Sequence, residues 1–385
     1  MFQYCCLNKI SDTGLKQFSG QYLQVPETKD ADALLVRSAN LHGIVFPERL
    51  QAIARAGAGV NNIPLEECAK QGIVVFNTPG ANANGVKELV FAGLLMAARD
   101  ILGGAAWVQA HAGDEQITQL AEKEKKSFAG CELRGKKLGI IGLGAIGAQV
   151  ANTAVNVGME VYGYDPFLSI DGAWNLSSSI RHISDVNTIY RECDFITIHV
   201  PLLESTKEMI NEDAISVMKP GVVLLNFARD LLVDEKAVLR AIGEGRVRRY
   251  VSDFPNPVTA GQSGVIVTPH LGASTAESEE NCAVMAVKEL QNFLENGNIR
   301  NSVNYPSCDM GVCTSESRVA ICHKNVKKML SRFTELLQET NIVNLSNSSK
   351  GEYAYTLLDL DARIPEHILE EITRTEGVFR VRVVK

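Results

Sequence analysis

The chain has 385 residues, too many for one small hydrophobic core, and this length predicts two or three domains. Its 45% hydrophobic and 22% charged residues are typical of an ordinary globular protein. A formal net charge of −7 gives no overall attraction to nucleic acid or to an anionic membrane. Any anion that the protein binds must therefore meet a local cluster of arginine or lysine side chains.

The sequence also lacks the usual features of a membrane or secreted protein. No apolar run approaches the ~20 residues that span a bilayer, and the first residues, MFQYCCLNKISDTG, lack the basic and apolar regions of a signal peptide. The nine cysteines are irregularly spaced, which is typical of a reduced, cytoplasmic protein. Four later residues superficially resemble zinc ligands: Cys308, Cys313, Cys322 and His323. Because the paired C-x₂-C spacing is missing, we expect no metal there.

The first third of the chain alternates short β-rich runs with helical stretches. Strands are predicted over 31–38, 50–57 and 72–78, with a helix over 62–71 before the third strand. A longer apolar helix is predicted over 85–101. Strands separated by helices indicate a parallel sheet in a small α/β domain.

A second series of apolar runs begins at residue 138. Six short runs, LGIIG, EVYGYD, FITIHV, VVLLNFA, YVSDF and VIVTPH, are apolar enough for strands buried on both faces. Helical segments separate them. The pattern predicts a doubly wound parallel-sheet domain inserted after the smaller α/β domain.

The last part of the chain has a different pattern. A helix is predicted from 276 to a glycine stop at 297, and residues 301–316 lose apolar periodicity as a linker would. From 317 the order of elements is β-α-β-β-α-β, which predicts a ferredoxin-like domain.

The motif LGIIGLGAIGAQVA carries the clearest functional prediction. A strand, a glycine-rich turn and a helix in this order are typical of dinucleotide binding, because the glycines let the backbone approach a pyrophosphate at the helix start. Asp165, 18 residues past Gly147, closes the next strand and can accept hydrogen bonds from ribose hydroxyls, which favours NAD over NADP. A glycine-rich turn without a ligand is the alternative. The residues predicted to contact the cofactor here are Gly142, Gly144, Ala145, Ile146, Gly147 and Asp165.

At this point several motifs together resemble a known family. RAGAGVNNI, GIVVFNTPG, FAGCELRGKKLGIIGLGAIG, VDE and VTPHLGAST are similar to the D-2-hydroxyacid dehydrogenase family over residues ~1–305. The similarity is greatest to the branch that oxidises 3-phosphoglycerate in the first step of serine synthesis, and the tail resembles an ACT regulatory domain. The resemblance implies a substrate-binding domain split between 1–85 and 275–303, a Rossmann-type NAD domain over 86–274, a linker over 304–316 and an ACT-like domain over 317–385.

The resemblance also implies further cofactor contacts. Pro201 and Thr206 match positions on the adenine side of the cofactor, and Asp253 matches a residue that contacts the nicotinamide carboxamide. Three other positions match cofactor contacts: Ala228, Gly272 and Ala273.

Oxidation of an alcohol needs a base for the hydroxyl proton and a cation for the substrate carboxylate. His270 matches the family's base, and an imidazole with an ordinary pKa of ~6.5 can exchange protons near neutrality. Arg229 matches the clamp, since a guanidinium grips a carboxylate bidentately and stays charged. A hydrogen-bonded histidine at a strand end is the alternative for His270.

The remaining substrate contacts are predicted in the first domain. The backbone amides of Ala58 and Gly59 match a second carboxylate contact, and Arg37 with Ser38 matches the phosphate contact. Arg55 follows an apolar run in the same way as Arg37 and is a further candidate for the phosphate. Ordinary solvated arginines are the alternative.

The sequence departs from the family at several places. The family's catalytic glutamate, which bonds the histidine and raises its pKa, falls at Pro257, so His270 either works alone or uses Asp253 or another carboxylate. Asp230 follows Arg229 where a small residue is usual. In the tail, His323 and Asn325 match positions that bind L-serine, but a third contact falls at Val343.

The sequence therefore favours an NAD-dependent dehydrogenase of 3-phosphoglycerate, a homo-oligomer such as a dimer or tetramer, with L-serine as a candidate effector. Two other functions stay open. The substrate of the same fold can be another 2-hydroxy acid, or the protein can be a non-catalytic NAD(H)-sensing protein.

Overall fold

The computed structural model describes all 385 residues, which divide into two compact units. The first unit contains residues 1–81 and 276–385, and the second contains residues 82–275. The second unit contains the region 86–274, for which an inserted domain is predicted.

The first unit begins with a five-stranded parallel sheet of order β2-β1-β3-β4-β5. The three predicted strands are confirmed, and β1 and β2 were not predicted. β2 exposes two of its three residues, so it carries little apolar signal. The elements are β1 (Phe2–Cys6), α1 (Asp12–Leu15), β2 (Tyr22–Gln24), a 3₁₀ turn (Thr28–Asp30), β3 (Ala33–Val36), β4 (Ala52–Arg55), α2 (Leu65–Lys70) and β5 (Val74–Phe76).

The second unit is a seven-stranded parallel sheet of order β12-β11-β10-β9-β6-β7-β8. Its first strand, β6, lies inside the sheet. The next strands, β7 and β8, are added on one side of β6 and the later strands on its other side, so the strand order reverses between β6 and β9. The six predicted strands are confirmed; β8 was not predicted because its two residues are polar and exposed. The strands are β6 (Lys137–Ile141), β7 (Glu160–Tyr164), β8 (Arg181–His182), β9 (Phe195–Ile198), β10 (Val222–Asn226), β11 (Val247–Ser252) and β12 (Val265–Val267).

Helices cover this second sheet. The helix predicted over 85–101 ends at Ala98, because Asp100 caps a new helix by accepting a hydrogen bond from the Gly103 amide at 3.2 Å. The helices are α3 (Ala83–Ala98), α4 (Ile101–Ala110), α5 (Ile117–Glu124), α6 (Ala145–Asn156), α7 (Ile170–Trp174), α8 (Val186–Glu192), α9 (Glu212–Ser216) and α10 (Glu235–Gly243), with 3₁₀ turns at Lys125–Phe128 and Asp230–Leu232.

The long helix α11 (Ala276–Asn296) returns the chain to the first unit and ends at Gly297, as predicted. The tail then forms a four-stranded antiparallel sheet of order β14-β15-β13-β16, so the β-α-β-β-α-β prediction is confirmed. Its elements are β13 (Ser317–Lys324), α12 (Met329–Leu336), β14 (Ile342–Lys350), β15 (Tyr353–Leu360), α13 (Glu366–Arg374) and β16 (Val378–Val383).

The tail shares a hydrophobic core with the rest of the first unit. One face of its sheet is covered by its own helices, where Val319 and Ile321 pack with Phe333. From the opposite face Cys322 and Tyr355 enter the core that also contains strands β1, β3, β4 and β5 and helix α11. Alternation along a strand explains this division, since successive side chains point to opposite faces.

The stretch predicted as a linker, 304–316, is anchored in that core. Tyr305 is fully buried and donates a hydrogen bond to the Ala69 carbonyl at 2.7 Å, and Cys308 and Cys313 are also buried. The absence of apolar periodicity here reflects irregular backbone rather than a free tether.

None of the helices has, by itself, both the length and the hydropathy of a transmembrane span; α3 and α4 reach them only when taken together, and the chain bends by 69° between these two helices.

Candidate active site

The predicted cofactor and catalytic residues of the second unit lie at one edge of its sheet. In a parallel sheet the residues that follow the strands converge at the carboxyl edge, beside the point where strand order reverses. Each of them follows one strand: Gly142 follows β6, Asp165 follows β7, Pro201 follows β9, Arg229 follows β10, Asp253 follows β11 and His270 follows β12.

The glycine-rich turn can pack this tightly against its own backbone only because two positions lack a side chain. Gly142 has a φ of +93°, and a Cβ there would lie 2.6 Å from the His199 carbonyl oxygen. A Cβ on Gly147 would lie 1.9 Å from the Gly142 carbonyl oxygen. Around Gly144 the space is open, so the turn presents bare backbone to the outside.

The start of α6 offers unpaired donors beside this turn. The amides of Gly144, Ala145 and Ile146 donate to no protein acceptor, as expected for the first turn of a helix. Exposed amides at a helix start bind phosphate oxygens well. The residues present therefore fit the diphosphate of a dinucleotide.

Asp165 lies next to the turn and fixes its shape. Its carboxylate accepts hydrogen bonds from the amides of Leu143 at 2.8 Å and Phe167 at 2.9 Å. A cavity of about 310 Å³ lies between Asp165 and the start of α6. The carboxylate has lone pairs left for ribose hydroxyls and would repel a 2′-phosphate, which fits NAD.

The loop after β9 is held by its own side chains. The Thr206 hydroxyl donates to the Pro201 carbonyl at 2.7 Å and accepts from the Leu203 amide at 2.8 Å. Sequence reasoning missed His199 at the same edge. Burial lowers the pKa of His199 to about 3, so this imidazole is neutral, with Nε2 hydrogen-bonded to Thr197 at 3.0 Å.

Arg229 follows β10 and is exposed, and two hydrogen bonds hold it in place. Its Nη1 donates to the Ala228 carbonyl at 2.6 Å, and the buried Asn226 side chain donates to the Arg229 carbonyl at 2.7 Å. The guanidinium forms no ion pair with Asp230, so the carboxylate next in the chain does not neutralise it. Most of the guanidinium donors therefore remain available for a substrate carboxylate.

His270 is exposed and has left-handed backbone, with a φ of +57°. Such backbone is uncommon for a residue other than glycine and must be held by its surroundings. The carboxylate of Asp253, which is 2% exposed, accepts from the Thr268 hydroxyl at 2.6 Å and from the amides of Leu271 at 2.7 Å and Gly272 at 2.8 Å. Asp253 thus fixes the loop that presents His270.

The imidazole of His270 has an aromatic neighbour instead of a carboxylate partner. The Phe254 ring meets it edge-on, with ring centroids 5.1 Å apart, and the imidazole forms no hydrogen bond. Since three protein donors occupy the Asp253 carboxylate, this residue does not substitute for the missing glutamate by bonding to the imidazole.

The loop that contains Pro257 is organised around Asn256. The Asn256 Oδ1 accepts from the Val258 amide at 2.9 Å, and its Nδ2 donates to the Glu235 carboxyl group at 2.8 Å. Burial raises the pKa of Glu235. Sequence reasoning missed this Glu235–Asn256 pair, whose partners are 21 residues apart.

In the first unit, Arg37 and Ser38 follow β3. The Arg37 guanidinium pairs with Glu279 on α11 at 2.7 Å, so a phosphate must share or displace this carboxylate. The side-chain oxygen of Asn8 accepts from three consecutive amides, those of Arg37 and Ser38 at 3.0 Å and of Ala39 at 2.9 Å. Neither Glu279 nor Asn8 could be identified as a partner from a local sequence motif.

Arg55 and Arg37 both place a positive charge near Cys282. Burial raises the pKa of the Cys282 thiol, whereas the charges of both arginines act in the opposite direction, so both lie near this cysteine. After β4 the amides of Ala58 and Gly59 donate to no protein acceptor, which fits the predicted carboxylate contact.

The predicted effector residues lie near one end of β13. His323 is buried, with its ring nitrogens hydrogen-bonded to the Lys324 carbonyl and the Thr356 hydroxyl, both at 2.8 Å. Asn325 is exposed and donates to the Gly351 carbonyl at 3.1 Å. A ligand at His323 would have to replace an internal hydrogen bond. Cys322 and His323 point to opposite faces of the strand and so cannot bind one metal ion.

Comparison with known proteins places this geometry in a family. Residues 91–272 match the NAD-binding domain of the D-isomer specific 2-hydroxyacid dehydrogenases. A D-3-phosphoglycerate dehydrogenase of Methanocaldococcus jannaschii is 37% identical over 289 residues, which cover 72% of this chain and 53% of that protein. A hydroxypyruvate reductase of Thermotoga maritima is 37% identical over 273 residues, which cover 68% of this chain and 84% of that protein.

A solved structure agrees with these relatives. The crystal structure of NAD⁺-bound 3-phosphoglycerate dehydrogenase from Entamoeba histolytica has a TM-score of 0.61 and 26% identity, covering 79% of this chain and 98% of that one. The chain spans about half the length of the first curated phosphoglycerate dehydrogenases that it matches. It belongs to the D-2-hydroxyacid dehydrogenase family.

Proposed function

We propose that the protein oxidises 3-phospho-D-glycerate to 3-phosphohydroxypyruvate with NAD, the first step of L-serine biosynthesis. One observation carries the proposal: Arg229 and His270 follow the two strands that flank β11, at the same sheet edge as the cofactor turn. A base, a fixed cation and a dinucleotide turn are the parts that oxidation of a 2-hydroxy acid requires.

The residues of the site divide the work between them. Bound NAD would accept the hydride. His270 takes the proton of the substrate hydroxyl during oxidation and returns it during reduction. Arg229 binds the substrate carboxylate and stabilises negative charge on the oxygen of the reacting carbon. Asp253 acts as a positioning residue because it holds the His270 loop.

The phosphate group distinguishes the proposed substrate from simpler hydroxy acids. Arg37 and Arg55 supply the positive charge for the phosphate in the first unit, whereas the free amides of Ala58 and Gly59 are donors for the substrate carboxylate. Wild-type protein with NAD⁺ is tested against 3-phosphoglycerate, D-glycerate and D-lactate by NADH absorbance. A kcat/KM for phosphoglycerate that does not exceed the others would contradict the phosphate role.

The second candidate function is action on an unphosphorylated 2-hydroxy acid. It is favoured by the similarity to the Thermotoga maritima hydroxypyruvate reductase. The same assay, run in the reducing direction with hydroxypyruvate and NADH, distinguishes the two functions. No turnover with any substrate, together with NADH binding, would instead indicate an NAD(H)-sensing protein.

The proposal also includes a homo-oligomeric state and a cytoplasmic location. Helix α4 is apolar yet contains no buried residue, and Leu102 and Val108 are about half exposed, which supports a homo-oligomer, a dimer or tetramer. All nine cysteines are free thiols, which supports a cytoplasmic setting.

L-serine is the proposed effector at His323 and Asn325. Calorimetric titration of serine into the wild type and into Asn325→Ala tests this role. Heat of binding that is lost in the variant supports the site, whereas no binding at millimolar serine contradicts it.

A further inference from the structure

A cleft of about 970 Å³ lies in the first unit between the tail and the segment that leads into β4. One wall is β16, and the other contains residues 46–51. Arg380 and Arg382, alternate residues of the edge strand β16, both line this cleft. The backbone is close to Arg380 on one side, since a Cβ on Gly72 would lie 2.4 Å from the Arg380 Cβ.

Neither guanidinium has a carboxylate partner. Arg380 donates to the backbone carbonyls of Leu50 and Glu48, the second at 3.0 Å. Arg382 donates to the Gln51 side-chain oxygen and the Phe293 carbonyl, and its charge lies over the Phe293 ring at 4.2 Å. These partners are neutral, so neither guanidinium takes part in an ion pair, and the only carboxylate charge that acts on Arg380 is that of Glu48.

Burial makes this arrangement costly without an anion. Desolvation lowers the pKa of both arginines, which shows that the surroundings oppose their charges. The Nε of Arg382 is buried and has no hydrogen-bond partner. A partly desolvated cation and a buried unpaired donor each cost free energy that a suitable acceptor would recover.

Other charges in the cleft are nearly balanced. Arg49 pairs with Asp32 at 3.0 Å, which leaves Glu48 as the carboxylate of the cleft lining that has no ion pair, and its charge acts on Arg380. The acceptor that fits two neighbouring guanidinium groups is a tetrahedral oxyanion, because it accepts several N–H donors in fork geometry.

We propose that this cleft binds a doubly charged phosphate-type oxyanion between Arg380 and Arg382. The site is separate from the proposed active-site residues, and the ligand would bridge the tail and the segment before β4. Occupancy therefore stabilises the packing of the tail on the substrate-domain sheet.

The test uses the full chain, with inorganic phosphate and sulfate as probes at constant ionic strength and chloride as the reference anion. We expect saturable heat of binding and a rise in Tm with either probe. Arg382→Gln should weaken phosphate binding at least about tenfold, the loss of one charge-assisted contact of ~1.5 kcal/mol or more.

Two further variants keep the test decisive if Arg382→Gln proves unstable. Glu48→Gln removes the opposing carboxylate and should tighten phosphate binding, while its backbone carbonyl still accepts from Arg380. Arg374→Gln removes an exposed arginine of α13 that pairs with Glu370, and it should change nothing. No saturable binding, or equal binding by wild type, Glu48→Gln and Arg382→Gln, would overturn the proposal.

Discussion

The role assigned to Asp253 can be tested by replacing it with asparagine. The wild-type carboxylate accepts three hydrogen bonds, at 2.6 Å from Thr268, 2.7 Å from Leu271 and 2.8 Å from Gly272. Hydrogen bonds to a charged group contribute about 1.5–3 kcal/mol each. An asparagine retains one acceptor oxygen and places an NH₂ group beside at least one backbone N–H, which then stays unpaired.

We therefore expect Asp253→Asn to lower the free energy of unfolding by about 2–4 kcal/mol, which combines a weaker acceptor with one orphaned buried donor. The corresponding drop in Tm is about 5–10 °C for a unit of this size. Because the loop presents His270, kcat should fall more than KM rises.

The assay combines thermal unfolding with NADH production. Asp185→Asn serves as the matched control: the Asp185 side chain caps α8, and asparagine caps a helix as well as aspartate does. A variant at Asp253 that matches the control in both Tm and kcat would refute the idea that this carboxylate holds the histidine loop.

Three other predictions concern separate parts of the chain. Glu279→Gln removes the ion-pair partner of Arg37 and should lower the KM for 3-phosphoglycerate about two- to fivefold, because an exposed ion pair contributes a free energy of this size. Steady-state kinetics should show no change in the KM for D-glycerate. Burial raises the pKa of Glu289 from 4.5 to about 8, so its stability contribution is full below about pH 4.5 and is lost as pH rises through 8. Glu289→Gln should therefore stabilise the protein by several kcal/mol in urea unfolding at about pH 9, at ~1.4 kcal/mol per pKa unit, and little at about pH 4. The double variant Leu102→Glu, Val108→Glu should reduce the mass measured by sedimentation if α4 forms the oligomer contact, and an unchanged mass would exclude α4.

Local sequence patterns were sufficient for most elements of the fold. The strands β6, β7, β9 and β10 are continuous apolar runs, and such runs have few alternatives to a buried parallel sheet. The cofactor turn was equally predictable, because Gly142 and Gly147 are required by contacts within a few residues or an adjacent strand.

Interactions between distant parts of the chain could not be predicted. Glu279 and Asn8 approach Arg37 only after the sheet and α11 have assembled, and neither belongs to a local motif. The hydrogen bond between Glu235 and Asn256 could not be predicted for the same reason. The packing of the tail was missed for a related reason: from the sequence, Cys322 and Tyr355 are as compatible with the core of an independent domain as with a core shared with the first sheet.

The substitution at Pro257 has a clearer meaning in the structure. The sequence predicted a histidine without its usual carboxylate, and the structure places the Phe254 ring beside His270 while Asp253 holds the backbone. Orientation of the imidazole therefore comes from packing and from the loop.

The activity of His270→Asn tests the central claim most directly. Asparagine tolerates left-handed backbone better than alanine does, so this variant should keep the fold and the loop while removing the base. We predict that wild-type protein reduces NAD⁺ with 3-phosphoglycerate and that the variant loses about 10²–10⁴-fold in kcat at unchanged Tm. A folded variant that retains wild-type kcat would contradict the assignment of His270 as the acid/base.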